Sequence, residues 1–86
     1  MKINHKKQEI INEFYTKIKK RFPEIEYKKI LSNPNDKKHI WIIVEADMDD
    51  KRDELFREYE AEMEANIHLD YGYRISIMLE NKRVLA

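Results

Sequence analysis

The chain has 86 residues, 40% of them charged and 42% hydrophobic, with one Gly, two Pro and no Cys. That is room for a single domain over residues 1–86, and it excludes disulfides, a thiolate metal site and a cysteine nucleophile. Seventeen basic and seventeen acidic residues cancel at pH 7, which argues against a nucleic-acid or anionic-membrane partner. The longest apolar run, Ile40 to Val44, is far too short to span a bilayer. Met1 to Lys7 carries no apolar signal segment, so the expectation is a cytoplasmic domain.

The zero net charge hides a division along the chain. Residues 1–22 hold seven basic and two acidic side chains, net +5, whereas residues 45–70 hold three and eleven, net −8. Ile3, Ile10, Ile11, Phe14, Ile18 and Phe22 recur at threes and fours, which predicts an amphipathic helix. Lys17, Lys19, Lys20 and Arg21 suit its negative end, and Pro23 stops it. Ile25 to Leu31 predicts a strand, Asn33-Pro34-Asn35-Asp36 a turn, and His39 to Val44 a central strand antiparallel to the first. One of Asp47, Asp49 and Asp50 is a natural N-cap for a second helix carrying Leu55, Phe56, Tyr59, Met63 and Ile67, whose pattern fades between Asn66 and Asp70. After Gly72, Tyr73, Ile75, Ile77 and Leu79 alternate with Arg74, Ser76, Met78 and Glu80 as a third strand. The fold class is therefore α+β in the order α-β-β-α-β. Its three-stranded sheet is mixed, because the second helix permits a parallel crossover, and both helices lie on one face.

Few motifs carry chemistry. Asp47-Met48-Asp49-Asp50 offers carboxylates to a hard cation but lacks the glycine turn and distal Glu of a calcium loop, and helix capping explains it. Glu58, Glu60, Glu62 and Glu64, spread by about 100° per residue, read as a solvated helix face. His5, His39 and His68 share no metal-ligand spacing, and no nucleophile elbow or glycine-rich phosphate loop is present. No catalytic residue, metal ligand or cofactor is assigned. Strand alternation is more informative. If Ile40, Ile42 and Val44 face the helices, His39, Trp41 and Ile43 face away, joined by Arg74, Ser76 and Met78, with Lys28 and Ile30 from the first strand. Trp41, Ile43, Met78 and Ile30 then form an exposed apolar patch of the kind that marks a partner site, unless a loop or Val84-Leu85-Ala86 covers it.

From roughly Glu24 to Glu80 the chain resembles the minimal nucleotidyltransferase domain of prokaryotes, small proteins often encoded beside HEPN-domain partners as antitoxins. Lys29-Ile30-Leu31-Ser32-Asn33 resembles that family's strand ending in Gly-Ser, and His39 to Val44 its Asp-x-Asp strand. Leu69-Asp70-Tyr71-Gly72-Tyr73-Arg74-Ile75-Ser76-Ile77 is similar to its approach into the third strand. The chain departs from the pattern at the reactive positions. Ser32-Asn33 replaces Gly-Ser, His39 and Trp41 replace the metal-binding aspartates, and no acid stands at Arg74, Ser76 or Met78 for the third carboxylate. Nucleotidyl transfer by two metals needs carboxylates to hold Mg²⁺. The resemblance therefore implies degenerate active-site positions at Ser32, Asn33, His39 and Trp41.

The expected function is non-catalytic association through the outer sheet face, with a second copy or a cognate partner such as a HEPN-type protein. Trp41, Ile43, Met78 and Ile30 would anchor it, with Arg74 and Glu45 as a polar rim. Two alternatives stand beside it. One is a divergent, active nucleotidyltransferase drawing on Glu45, Asp47 or Glu80. The other is a nucleotide- or nucleic-acid-binding module on the basic first helix, which the balanced charge disfavours.

Overall fold

The computed structural model describes residues 5–33 and 36–82, with 33 and 36–38 described by their backbone alone. Ile3, Pro34, Asn35 and Val84-Leu85-Ala86, which entered the expectations above, lie outside the described residues. Helix α1 (His5–Arg21) turns Ile10, Ile11, Phe14 and Ile18 inward, as its spacing dictates, and Phe22 and Ile25 follow them into the core. Lys19 Nζ donates to the carbonyls of Pro23, at 2.8 Å, and Ile25, so a basic residue of the last turn also pins the turn leading into the sheet.

Strand β1 (Glu26–Asn33) pairs antiparallel with β2 (Asp36–Ala46). Helix α2 (Asp50–Tyr71) then returns the chain so that β3 (Arg74–Asn81) runs parallel to β2, giving the sheet order β1-β2-β3. The α-β-β-α-β order and the mixed sheet are those expected from the sequence. Asp49 is the N-cap of α2, with extended backbone and a carboxylate accepting from Arg52 N at 2.8 Å. Gly72 ends the helix in the left-handed region at φ 74, its N–H returning to the His68 carbonyl at 2.8 Å, a conformation that costs other residues a Cβ clash. The helix thus runs through Asn66 to Asp70, where its apolar pattern fades, because the cap rather than the periodicity fixes its end.

One core joins these elements. Phe14, Ile18 and Phe22 from the α1 side, Phe56 and Ile67 of α2, and Ile40, Ile42, Val44, Ile75 and Ile77 form a single buried cluster. Both helices therefore pack on the same face of the sheet. Phe22 meets Phe56 edge-on at 5.2 Å, and the Arg52 guanidinium lies over the Phe22 ring, 4.4 Å from its centre. Arg52 also donates to both carboxylate oxygens of Glu24, at 2.8 and 3.2 Å, and to the Arg21 carbonyl at 3.0 Å. That bond holds the Glu24 carboxyl below the usual carboxylate range, and it ties the start of α2 to the end of α1. No helix among the described residues is long and apolar enough to cross a membrane.

A second tie fixes the far end of the parallel pair. Asn81, 6% exposed, accepts from Met48 N at 3.1 Å and donates to the Met48 carbonyl at 2.9 Å and to Asp53 Oδ2 at 2.8 Å. Burial pushes the Asp53 carboxyl up, but the bonds from Asn81 and Arg57 outweigh it and hold the group below its ordinary value. Asn81→Ala strips partners from three buried polar groups and is expected to lower the unfolding free energy by about 2–4 kcal/mol in urea denaturation. Leu69→Ala, at a side chain 81% exposed, should change it by no more than about 0.5 kcal/mol.

Candidate functional site on the outer sheet face

The face of the sheet turned away from both helices is built by the alternation of β2. His39, Trp41, Ile43 and Glu45 point outward and stand in register with Arg74, Ser76, Met78 and Glu80 of β3. On β1 the expected alternation fails, because the pairing shifts between Tyr27 and Lys29. Lys28 is the extra residue of a bulge, and a one-residue slip exchanges the faces of everything beyond it. Ile30 therefore pairs with Ile42 and packs toward the helices against the core, not in the outer patch where alternation had placed it. Leu31, opposite Trp41, takes its place.

The resulting apolar strip runs diagonally across three strands: Leu31, Trp41, Ile43, Met78. Leu31 and Met78 are each 45% exposed and Trp41 is half-buried. Ile43, expected to be exposed, is only 5% so, since Lys29 and Met78 flank it on the neighbouring strands and Trp41 and Glu45 along its own. It forms the floor of the strip rather than a projecting anchor. One end of the face is ionic. Lys28 Nζ lies 3.0 Å from Glu80 and 3.5 Å from Glu45, and Lys82 Nζ is 3.4 Å from Glu45. Glu45 thus sits within this ionic end, and Arg74 is exposed at the opposite end.

That opposite end holds a polar chain. The imidazole of His39 and the indole of Trp41 stack with centres 4.6 Å apart and planes 30° apart. His39 and Ser76 are both buried, with His39 Nε2 3.0 Å from Ser76 Oγ. Ser76 Oγ donates to Glu64 Oε1 at 2.7 Å. A hydroxyl has one proton to give, so the bonding assigns the proton of the His39–Ser76 link to His39 Nε2. An imidazole in that tautomer is no base toward Ser76, and the trio is not a nucleophile with its base.

Glu64 leads to the residue that sequence reasoning missed. Glu58 and Glu62 are exposed, as a solvated face requires, whereas Glu60 and Glu64 are half-buried and face β3 one helical turn apart. The signal was available, since Glu60 lies four residues after Phe56 and Glu64 three before Ile67, both inside the apolar stripe. Strand β3 has a strand neighbour on one side only. On its free side Ile77 N donates to Glu60 Oε2 at 3.0 Å, so α2 closes that edge. Glu60 also hydrogen-bonds Glu64, and burial, together with the Glu64 charge, pushes the Glu60 carboxyl up to about 8 against the opposing pull of the Ile77 bond.

The remaining sequence candidates are dispersed. Ser32 is exposed at the end of β1, and Asn33 lies opposite Asp36 where the pairing shifts again. Among the described residues no group of three His, Asp or Glu side chains is placed to hold a metal. Much of the basic surface of α1 is engaged within the molecule. Lys6, Lys7 and Arg21 lie over the rings of Tyr71, Tyr73 and Tyr59, and Lys17 pairs with Glu13 at 3.2 Å. Family models, curated proteins and solved structures give no match to this chain, so its geometry carries the functional argument.

The native value of Glu60 lies above that of an unfolded glutamate, so the folded state holds a proton that the unfolded chain releases. Its contribution to stability is full below the ordinary glutamate value and is lost as pH rises through about 8. Urea denaturation between about pH 5 and pH 8 should show stability falling as pH rises, by a fraction of the limiting slope of about 1.4 kcal/mol per pH unit because the half-buried Glu60 is partly screened by solvent. Glu60→Gln should flatten that slope.

Proposed function

We propose that this domain acts by association, two copies meeting through the outer sheet face, with no catalysis at that face. The observation that carries this reading is the apolar strip of Leu31, Trp41, Ile43 and Met78 on a sheet whose two edges are both blocked. At one edge, β1 carries a bulge at Lys28 followed by Lys29, devices that discourage strand addition. At the other, α2 and Glu60 cover β3. What is left for a partner is the face.

Charge favours a second copy as that partner. Net charge is zero, so two copies do not repel one another at long range. The rim presents both signs side by side, Lys28 and Lys82 with Glu45 and Glu80, as an isologous contact between identical surfaces requires. Three strands spaced by about 4.8 Å and some eight residues long make a face of roughly 15 by 25 Å. That is below the usual size of a stable specific interface, so the dimer is weak and concentration-dependent. The resemblance to minimal nucleotidyltransferases supports the same direction. The positions of that family's aspartates are occupied by His39 and Trp41, whose stacked rings offer a metal no carboxylate.

Sedimentation equilibrium from micromolar to millimolar protein tests this. The apparent mass should rise from 10.6 kDa toward twice that value, and Leu31→Glu or Met78→Glu, both at exposed positions, should hold the chain monomeric without altering its circular dichroism. A wild-type chain that stays monomeric throughout, or charged variants that associate as well as it does, would contradict the proposal.

A further inference from the structure

The face-to-face association makes no use of the Glu60–Glu64 pair, yet these two carboxyl groups occupy positions on α2 where apolar side chains would pack against β3. They stand in the middle of an unbroken line of contacts. Ile77 N–H is held by Glu60, Glu60 by Glu64, the Ser76 hydroxyl by Glu64, His39 Nε2 by Ser76, and the His39 ring by Trp41. The line begins at the free edge of β3 and ends on the outer face.

The link between the two carboxyl groups requires a proton lying between them. Without it two negative charges stand side by side in a half-buried site, and one side chain must turn out to water. If Glu60 turns, Ile77 loses its acceptor. If Glu64 turns, the Ser76 hydroxyl is released and the bond from His39 loses its fixed direction. Charged and titratable groups face the pair from each element packed against it. Arg57 of α2 borders the groove at Glu60 but is engaged with Asp53. His68 of α2 and Arg74 of β3 border the groove at Glu64, and His39 of β2 approaches through Ser76. From α1, Arg21 lies over the neighbouring Tyr59 ring.

We propose that Glu60 and Glu64 form a proton-operated relay between α2 and the outer sheet face. With the shared proton present, the β3 edge is closed at Ile77 and the His39–Trp41 stack is fixed. Its loss frees the Ile77 N–H where Glu60 turns out and reorders the stack where Glu64 does, so both sites respond to the same proton. The relay stands on its own geometry and does not depend on what the outer face binds.

Trp41 is the single tryptophan of the chain, so its emission and indole N–H report one place. In dilute ¹⁵N-labelled full-length protein, the Ile77 amide and the Trp41 signals should move together on raising the pH, with a common midpoint near 8. Glu60→Gln should abolish both transitions. Ser76→Ala should keep the transition at Ile77 and remove the one at Trp41, because it cuts the line between them. Glu64→Gln, which removes the neighbouring charge, should move the Ile77 midpoint down by about one pH unit or more, and it serves where Glu60→Gln does not fold. Wild-type signals that stay flat across this range overturn the relay. So does a Trp41 transition that survives Glu60→Gln, or one that survives Ser76→Ala. An Ile77 midpoint left unmoved by Glu64→Gln counts equally against it.

Discussion

The structure depends on a single strand having two different sides. β2 alone has strand neighbours on both edges, and it gives one set of side chains, Ile40, Ile42, Val44 and Ala46, to the core built with α1 and α2. With both helices committed to that side, the alternate set, His39, Trp41, Ile43 and Glu45, receives from the described residues only what neighbouring strands can reach across with. Long side chains from β1 and β3 close over Ile43, but Leu31 and Met78 remain substantially open. The apolar outer strip is thus a consequence of a sheet that, among the described residues, is covered by helices on one side only.

The unequal charge distribution acquires a structural meaning from the same arrangement. The acidic third quarter is not a uniform solvated surface. Asp49 caps α2, Asp53 is held by Asn81 and Arg57, and Glu60 and Glu64 are turned to the β3 edge. On the basic side, Lys19 closes the turn after α1, and Lys6, Lys7 and Arg21 lie on tyrosine rings. Charge that looked available for a polyanion is largely spent within the fold. Among the described residues, the outer face carries the mixed cluster of Lys28, Glu45, Glu80 and Lys82, together with Lys29 and Arg74.

Much of the architecture was legible in the sequence because it rests on local periodicity and on chemistry at helix ends. The 3.6-residue stripe of α1, the β-branched run of β2, the alternation of β3 and the aspartate cap all translate directly into elements, and the crossover helix implies the parallel pairing. What escaped was long-range or geometric. No composition cue marks the bulge at Lys28, so alternation carried forward from Ile25 placed Ile30 on the wrong face and hid Leu31. The end of α2 is set by Gly72 rather than by hydrophobic spacing. The half-buried pair of glutamates was masked by treating four acidic residues as one surface pattern, although two of them sit within the apolar stripe.

The central claim is that the outer sheet face, and not an edge or a helix, is where a second copy binds. A dilution series of methyl and indole correlation spectra tests it most directly, because each resonance reports its own surroundings. The account predicts concentration-dependent shifts at Leu31, Trp41, Ile43 and Met78, with the methyl groups of Ile10, Ile18 and Ile67 unmoved. Shifts that instead map to α1 or α2, or spectra that do not change with concentration, would contradict it.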